Sequence, residues 1–438
     1  MRILHTADWH LGHTLRDHSR QREHEHFLRW LVDTVVERDV DVLLVAGDVF
    51  DTANPPPPAW RAWFEFLGEL KRARPAIQVV VIAGNHDSGA RLEAPRELLA
   101  AFDVTVVGGL DFEAGGRLAT ERLLVPLPGR DGDPGAVCVA IPFLRATDVA
   151  AFAPVVLPRP GEPDDEADDE PDDERDPLIE GMRMLHEQVF DAARAALRPG
   201  QALVAMAHGY LVGGMLSELS ERKVLGGNQH ALPVDLFPDE CAYVALGHLH
   251  RPQPVAGREH VRYSGSPIPL SMPERVHAHH VVFADLEDGR LAKTWSLRVP
   301  QLVPMQRIPA HGALTPEAAF AAIEALPPRD PDVDEDLRPL LEVAVRIAEP
   351  MPSLGERVAT ACAAKNVRLA RVEVLTAATG DRDRSDAAPP RDLTALQPEE
   401  LFRLCYAREH EGEVPERLMR AFRELLDEVQ HAAGGGMS

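Results

Sequence analysis

The sequence predicts a layered α/β fold, followed by a small α+β domain and C-terminal helices. Three observations carry that prediction. Five short aliphatic runs in the first 250 residues each end in a polar motif. After about residue 285 those motifs stop and a β-α-β-α-β pattern begins. Beyond a linker, two amphipathic segments close the chain.

The runs come in order. They are Ile3-Leu4, Val42-Leu43-Leu44-Val45, Val79-Val80-Val81-Ile82, Ala202-Leu203-Val204 and Tyr243-Val244-Ala245-Leu246. Aliphatic and β-branched runs of this length, bounded by Gly or Asp, read as buried strands. Each leads into polar residues: Asp8-Trp9-His10, Gly47-Asp48-Val49-Phe50-Asp51, Gly84-Asn85-His86-Asp87, His208-Gly209 and Gly247-His248-Leu249-His250. The polar groups thus sit where strands end, the edge at which layered α/β proteins bind ligands. Taken singly, Asp-x-His and Gly-Asp-x-x-Asp are weak signals, because Asp favours turns. Gly-Asn-His-Asp after a buried strand is more specific. All five in this order point to chemistry. His24 and His26, in a polar helical stretch, and His277, His279 and His280, in or before a strand, read as structural.

The residue types suit two divalent ions. Cleaving a phosphodiester at neutral pH needs a strong oxygen nucleophile and neutralisation of the phosphoryl charge. Two ions roughly 3.5–4 Å apart supply both. Asp48 is the expected bridge. Asp8, His10 and His250 are expected on the first ion, and Asn85, His208 and His248 on the second. The neutral Asn oxygen keeps the site positive for an anionic substrate. The mixed Asp/Asn/His set favours Mn²⁺ over Mg²⁺, which remains a substitute. His86 is expected not to ligate but to serve the leaving oxygen as proton donor or hydrogen-bond donor. Asp51 is expected to orient His86 or a ligand histidine. Asp87 is read as the cap of the following helix.

This order of motifs resembles the calcineurin-like metallophosphoesterases. Within them, five segments are similar to SbcD, the family of nuclease subunits of bacterial SbcCD complexes. They are Met1-Arg2-Ile3-Leu4-His5-Thr6-Ala7-Asp8-Trp9-His10-Leu11-Gly12, Val45 to Thr52, Ala83 to Ser88, Ala245 to Arg251 and Tyr263 to Ser271. The resemblance implies a two-sheet metallophosphoesterase sandwich flanked by helices. It implies a Mn²⁺-dependent exonuclease on DNA ends and endonuclease on hairpins or single strands, acting in repair and recombination with an SbcC-type ATPase. It also implies a homodimer within a heterotetramer, with residues 55–75 (Trp60, Trp63, Phe64, Phe66) as a contributor to the dimer, although a helix packed on its own sheet explains the same residues.

Composition bounds the reading. The 438 residues allow two or three domains, and 45% hydrophobic content fits a globular protein. No apolar run approaches a membrane span. Met1-Arg2-Ile3-Leu4 leads directly into a ligand-bearing strand, so no signal peptide is expected. Cys138, Cys241, Cys362 and Cys405 lack pairing or metal spacing, which fits a reduced cytoplasm. The net charge of −24 argues at first against DNA, but residues 161–177 hold eleven acidic residues against one Arg. That insertion is expected to be a solvated, disordered loop. Only Lys71, Lys223, Lys293 and Lys365 accompany the arginines.

The nuclease domain is accordingly expected over 1–285 and a capping domain over 300–376. The latter reads as strand Val303–Ile308, helix Thr315–Leu326, strand Leu340–Ile347, helix Leu354–Ala364 and strand Val367–Leu375. A linker follows over 377–392. Helices over 393–432 present Leu401, Phe402, Leu418, Phe422, Leu425 and Val429, expected to dock onto the ATPase or to pack on their own protein. The competing functions are a phosphomonoesterase or cyclic-nucleotide phosphodiesterase, which would need neither cap nor C-terminal helices, and a scaffold with a decayed site, which the complete ligand set opposes. No Gly-x-x-x-x-Gly-Lys-Ser/Thr loop occurs, so any ATP dependence is expected from a partner.

Overall fold

The computed structural model describes residues 1–113, 117–129, 134–152, 177–212, 214–215, 232–349 and 351–376, with Met419. The chain divides into two compact units, Met1–Leu375 and Thr376–Ser438. Of the second, only Thr376 and Met419 are described. Residues 161–176, the 377–392 segment and the six apolar residues Leu401, Phe402, Leu418, Phe422, Leu425 and Val429 lie outside the described residues.

Strand β1 (Arg2–Thr6) opens the chain, and a hairpin of β2 (Thr14–Leu15) and β3 (His18–Ser19) precedes helix α1 (Gln21–Glu37). Next come β4 (Val42–Ala46), α2 (Pro57–Ala73), β5 (Gln78–Ile82), the short α3 (Gly89–Glu93) and α4 (Arg96–Ala100), and β6 (Val104–Val107). There follow β7 (Leu124–Pro128), β8 (Pro134–Ala140), α5 (Ala146–Phe152), α6 (Pro177–Ala196), β9 (Ala202–His208) and β10 (Cys241–Gly247). Then come β11 (Gln253–Val255), β12 (Arg258–Tyr263), β13 (His280–Glu287) and β14 (Arg290–Arg298). The last elements are β15 (Met305–Ile308), α7 (Pro316–Glu324), β16 (Leu340–Ile347), α8 (Leu354–Ala363) and β17 (Arg368–Thr376).

Among the described residues these form two six-stranded sheets, in the orders β14-β13-β1-β4-β5-β6 and β11-β12-β10-β9-β8-β7. In the first, β1, β4, β5 and β6 run parallel, and β13 and β14 add antiparallel at one side as far as Arg298. In the second, β8, β9, β10 and β12 run parallel. Period-two alternation explains the layering. Ile3, Val42, Leu44, Ala46, Val80 and Ile82 face the core shared with the second sheet. Leu4, Leu43, Val45, Val79 and Val81 face the other way, onto Phe27, Leu31, Val35, Trp63, Phe66 and Leu70 of α1 and α2. All five aliphatic runs noted in the sequence are strands of this sandwich. The third sheet, β15-β16-β17, carries α7 and α8 on a core of Ala319, Ile323, Leu341, Val343, Val345, Val358 and Cys362.

Burial adds detail at two positions. His24, read as structural, is fully buried in α1 despite its polar neighbours, and neither ring nitrogen has a hydrogen-bond partner among the described residues. Burial pushes its imidazole down to about 3. Of the α2 aromatics, Trp63 and Phe66 are buried on the sheet, whereas Phe64 is 43% exposed.

Candidate metal centre

The C-terminal ends of β1, β4, β5, β9 and β10 converge, because each is parallel to its neighbours and the two sheets stack face to face. Their loops are bound to one another before any ligand is considered. Asp8 N donates to Gly47 O (3.0 Å), His10 N to Asp48 O (3.0 Å) and Leu11 N to Val49 O (2.9 Å). His248 N donates to Asp8 Oδ1 (2.9 Å), and His86 N to Asp48 Oδ1 (2.8 Å). This web holds Asp8, His10, Asp48 and His248 at φ of 55°, 49°, 50° and 109°, a left-handed region non-glycine residues rarely occupy. Glycine is required beside them. A Cβ on Gly84 would lie 2.2 Å from Asp48 Oδ1, and one on Gly247 would lie 1.8 Å from Ala46 O.

Among the described residues three donor groups result, each with ligand atoms within 4.8 Å of one another: Asp8, His10 and His250; Asp8, Asp48 and His208; and His10, Asp48 and His86. Asn85 Oδ1 lies 3.0 Å from both His208 Nε2 and His248 Nδ1. His208 Nδ1 donates to Ala46 O (2.8 Å), which turns Nε2 toward Asp48 Oδ2 at 3.4 Å. Every metal position read from the sequence therefore lies at one place. His86 is there too, within ligand reach of His10 and Asp48, while its Nδ1 donates to the Asp51 carbonyl (2.8 Å).

The donor set fits divalent cations. Among the described residues Asp8 Oδ2 and His10 Nε2 are buried with no hydrogen-bond partner, although Asp48 Oδ2 lies 3.5 Å from His10 Nε2; that is a costly state for a carboxylate and an imidazole unless a cation meets them. The electrostatics agree. Burial, with repulsion from Asp48 added, pushes the Asp8 carboxyl up to about 7 against the pull of His208 and His250. Burial also opposes the Asp48 charge, but His208 and His10 hold that carboxyl well below its usual range. Burial disfavours the His208 imidazolium, yet Asp48 raises it to about 9. The carboxylates draw a proton onto His208; divalent cations would supply the same positive charge. Burial lowers His10 to about 4 and His248 to about 3, so both are neutral and available as ligands near pH 7.

The supporting residues were only partly visible in the sequence. Asp51 places its carboxylate 3.3 Å from His10 Nδ1 and 2.9 Å from His13 Nδ1, and these histidines hold it well below the carboxylate range although burial opposes its charge. His13 also reaches Leu270 O (3.0 Å). Glu274, fully buried, lies 3.3 Å from His250 Nδ1 and accepts from Leu270 N (2.9 Å) and Ser271 Oγ (2.8 Å). Neither His13 nor Glu274 was anticipated; both lie near recognisable motifs, but nothing in their spacing marks the partner. Asp87 is a correction. It caps no helix, and instead accepts from Gly84 N (2.9 Å), Phe50 N (2.9 Å) and Val49 N (3.2 Å), joining two metal loops. A cavity of about 460 Å³ opens over the centre, lined by His10, Asp48, Asn85, His86, His248 and His250, among others.

Comparison with known proteins places the chain in a family. Residues 1–252 match the family model described as calcineurin-like phosphoesterase, and residues 301–410 match one described as the Type 5 capsule protein repressor C-terminal domain. The chain is 39% identical over 406 residues to the SbcD subunit of the nuclease SbcCD from Rhodobacter capsulatus, covering 93% of this chain and 94% of that one. It is 32% identical over 438 residues to the SbcD subunit of the same nuclease from Escherichia coli K12, covering 99% of each. With its counterpart from Bacillus subtilis it shares 34% identity over 296 residues, 67% of this chain and 68% of the relative.

Proposed function

The chain belongs to the calcineurin-like phosphoesterases and, within them, to the SbcD nuclease subunits, and we propose that its site hydrolyses DNA phosphodiester bonds with two Mn²⁺ ions, Mg²⁺ substituting. The observation that carries this reading is the buried pair of unsatisfied ligand atoms, Asp8 Oδ2 and His10 Nε2, at the meeting point of five strand ends.

Asp8, His10 and His250 would hold one ion, Asn85, His208 and His248 the other, with Asp48 between them. When bound, such ions neutralise phosphoryl charge and lower the pKa of a bound water. The chain's own groups do the rest. The Asp51 carbonyl orients His86 through Nδ1, leaving Nε2 to pass a proton or donate a hydrogen bond to the leaving oxygen. The Asp51 carboxylate fixes His10, and Glu274 fixes His250. The cap, residues 300–376, narrows access: Ala370 and Arg371 of β17 line the cavity over the metal ligands.

The assembly we propose is a cytoplasmic homodimer bound to an SbcC-type ATPase through residues 393–432. Phe64, Leu98 and Phe102, 43%, 64% and 51% exposed around one cavity, give the dimer an apolar face. No helix among the described residues is long and apolar enough to cross a membrane. The test is Mn²⁺-dependent cleavage of linear duplex and hairpin DNA, with and without the co-expressed ATPase and ATP. Hydrolysis of a chromogenic phosphodiester without cleavage of any DNA would overturn the nuclease reading. An ATPase pull-down unaffected by truncation after about residue 390 would overturn the docking reading.

A further inference from the structure

The cavity over the metal centre has a wall that takes no part in metal binding. Arg16 and Arg371 both line it, one from the β2–β3 hairpin and one from the cap strand β17. Arg16 occupies the turn between β2 and β3 at φ 54°, a left-handed conformation that Gly or Asn adopts with less strain. It is exposed, and it has no hydrogen bond or ion pair among the described residues. A long cation held on a strained turn, unpartnered, at the mouth of an anion-binding site is a binding group in search of a ligand.

The hairpin that carries it is locked to the cap. Leu15 packs with Met272, Leu340 and Ala370, and His18 Nε2 donates to Leu369 O (3.0 Å), two residues before Arg371. One junction therefore delivers both guanidiniums to one cavity. Arg371 lies 3.2 Å from Glu342 and 3.7 Å from Glu373. Those carboxylates are also paired with Arg307, at 3.0 and 2.7 Å, so their charge is shared between two guanidiniums and Arg371 is not their exclusive partner. In a chain of net charge −24, Arg16 and Arg371 put two cationic groups at the mouth of this cavity, of which Arg16 has no carboxylate partner among the described residues.

We infer that Arg16 and Arg371 clamp a backbone phosphate of the nucleic-acid strand next to the scissile one, positioning the strand while the metal ligands act on the bond. This rests on the proposed nuclease activity. Arginine suits the task, since its planar fork meets phosphate oxygens in pairs.

The test uses the full chain with Mn²⁺, a single-stranded oligonucleotide and bis(p-nitrophenyl) phosphate. Arg16→Asn retains the turn, because Asn tolerates the left-handed region; Arg371→Gln and the double variant complete the series, with Arg371→Lys as the charge-retaining control. Each neutral substitution should raise the oligonucleotide KM about tenfold, the scale of one charge-assisted hydrogen bond, with kcat within about twofold. Measured between about 50 and 200 mM salt, the log–log slope of affinity should fall by about 0.7 for each arginine–phosphate pair removed. Arg371→Lys should restore most of that slope. Losses on the oligonucleotide should exceed those on the chromogenic diester about tenfold. Equal losses on both substrates, or an unchanged salt slope, would overturn the clamp alone. Wild-type protein that hydrolyses the diester but no oligonucleotide would overturn the nuclease reading and the clamp with it.

Discussion

Glu274→Gln isolates the contribution of a residue that touches no substrate. Glu274 Oε2 accepts from Leu270 N, and an amide oxygen can take over that contact. At Oε1, the carboxylate now accepts from Ser271 Oγ and lies 3.3 Å from His250 Nδ1. An amide NH₂ there is a donor. Ser271 can adapt, since its hydroxyl also accepts. His250 can adapt only by giving up the Nδ1 proton, which moves the proton to Nε2, the nitrogen left to ligate. The favoured tautomer is then wrong for metal binding. Loss of such a support typically weakens metal affinity by about 10–100-fold, or ~1.4–2.8 kcal/mol. Stability without metal should fall less, by about 1–2 kcal/mol, because the amide keeps one of the buried contacts. Mn²⁺ titration calorimetry measures the affinity directly, and phosphodiesterase activity should recover at high Mn²⁺. An unchanged Mn²⁺ affinity, or activity that excess metal does not restore, would refute the argument that Glu274 acts by orienting His250.

Other substitutions separate the remaining roles. His86→Ala should lower nuclease turnover by about 10²–10⁴ while metal content is retained, whereas Asp48→Ala should lose both; metal analysis of His86→Ala showing one ion missing would make His86 a ligand. Phe64→Glu with Leu98→Glu should convert the proposed dimer to monomer in light scattering, with diester hydrolysis retained; wild-type protein that is already monomeric would overturn the dimer. His24 gives the fold a built-in acid sensitivity. Its folded value of about 3 lies below the ordinary value of 6.5, so between those limits the unfolded chain binds the extra proton and stability falls as pH drops. His24→Leu should flatten that decline by up to about 1.4 kcal/mol per pH unit, the full slope being reached only well below pH 6.5, read from denaturant unfolding at pH 4.5–7; an unchanged slope would show that His24 titrates normally.

Residue type and local spacing were enough to single out the groups proposed for the chemistry. Asp8, His10, Asp48, Asn85, His86, His208, His248 and His250 follow buried strands, and a polar motif at a strand end has few structural uses. The β-α-β-α-β order after residue 300 was equally legible, because alternation and helix-start signals are local. Whatever depends on a partner distant in the chain emerged only on folding. Asp87 looked like a helix cap because capping is a local habit of Asp; in place, three backbone N–H groups from two loops reach it first. Glu274 and His13 carry no mark of their role until Leu270 and the β1 and β10 loops meet. His24 stands among charged neighbours in sequence, yet the turn of α1 puts it inside. Phe64 and Trp63 are adjacent, and only packing on the sheet makes Trp63 core and Phe64 surface. The physical reason is common to all: residue type fixes what a side chain can donate, accept or ligate, whereas burial and the distance to a partner are set only when the sheets stack.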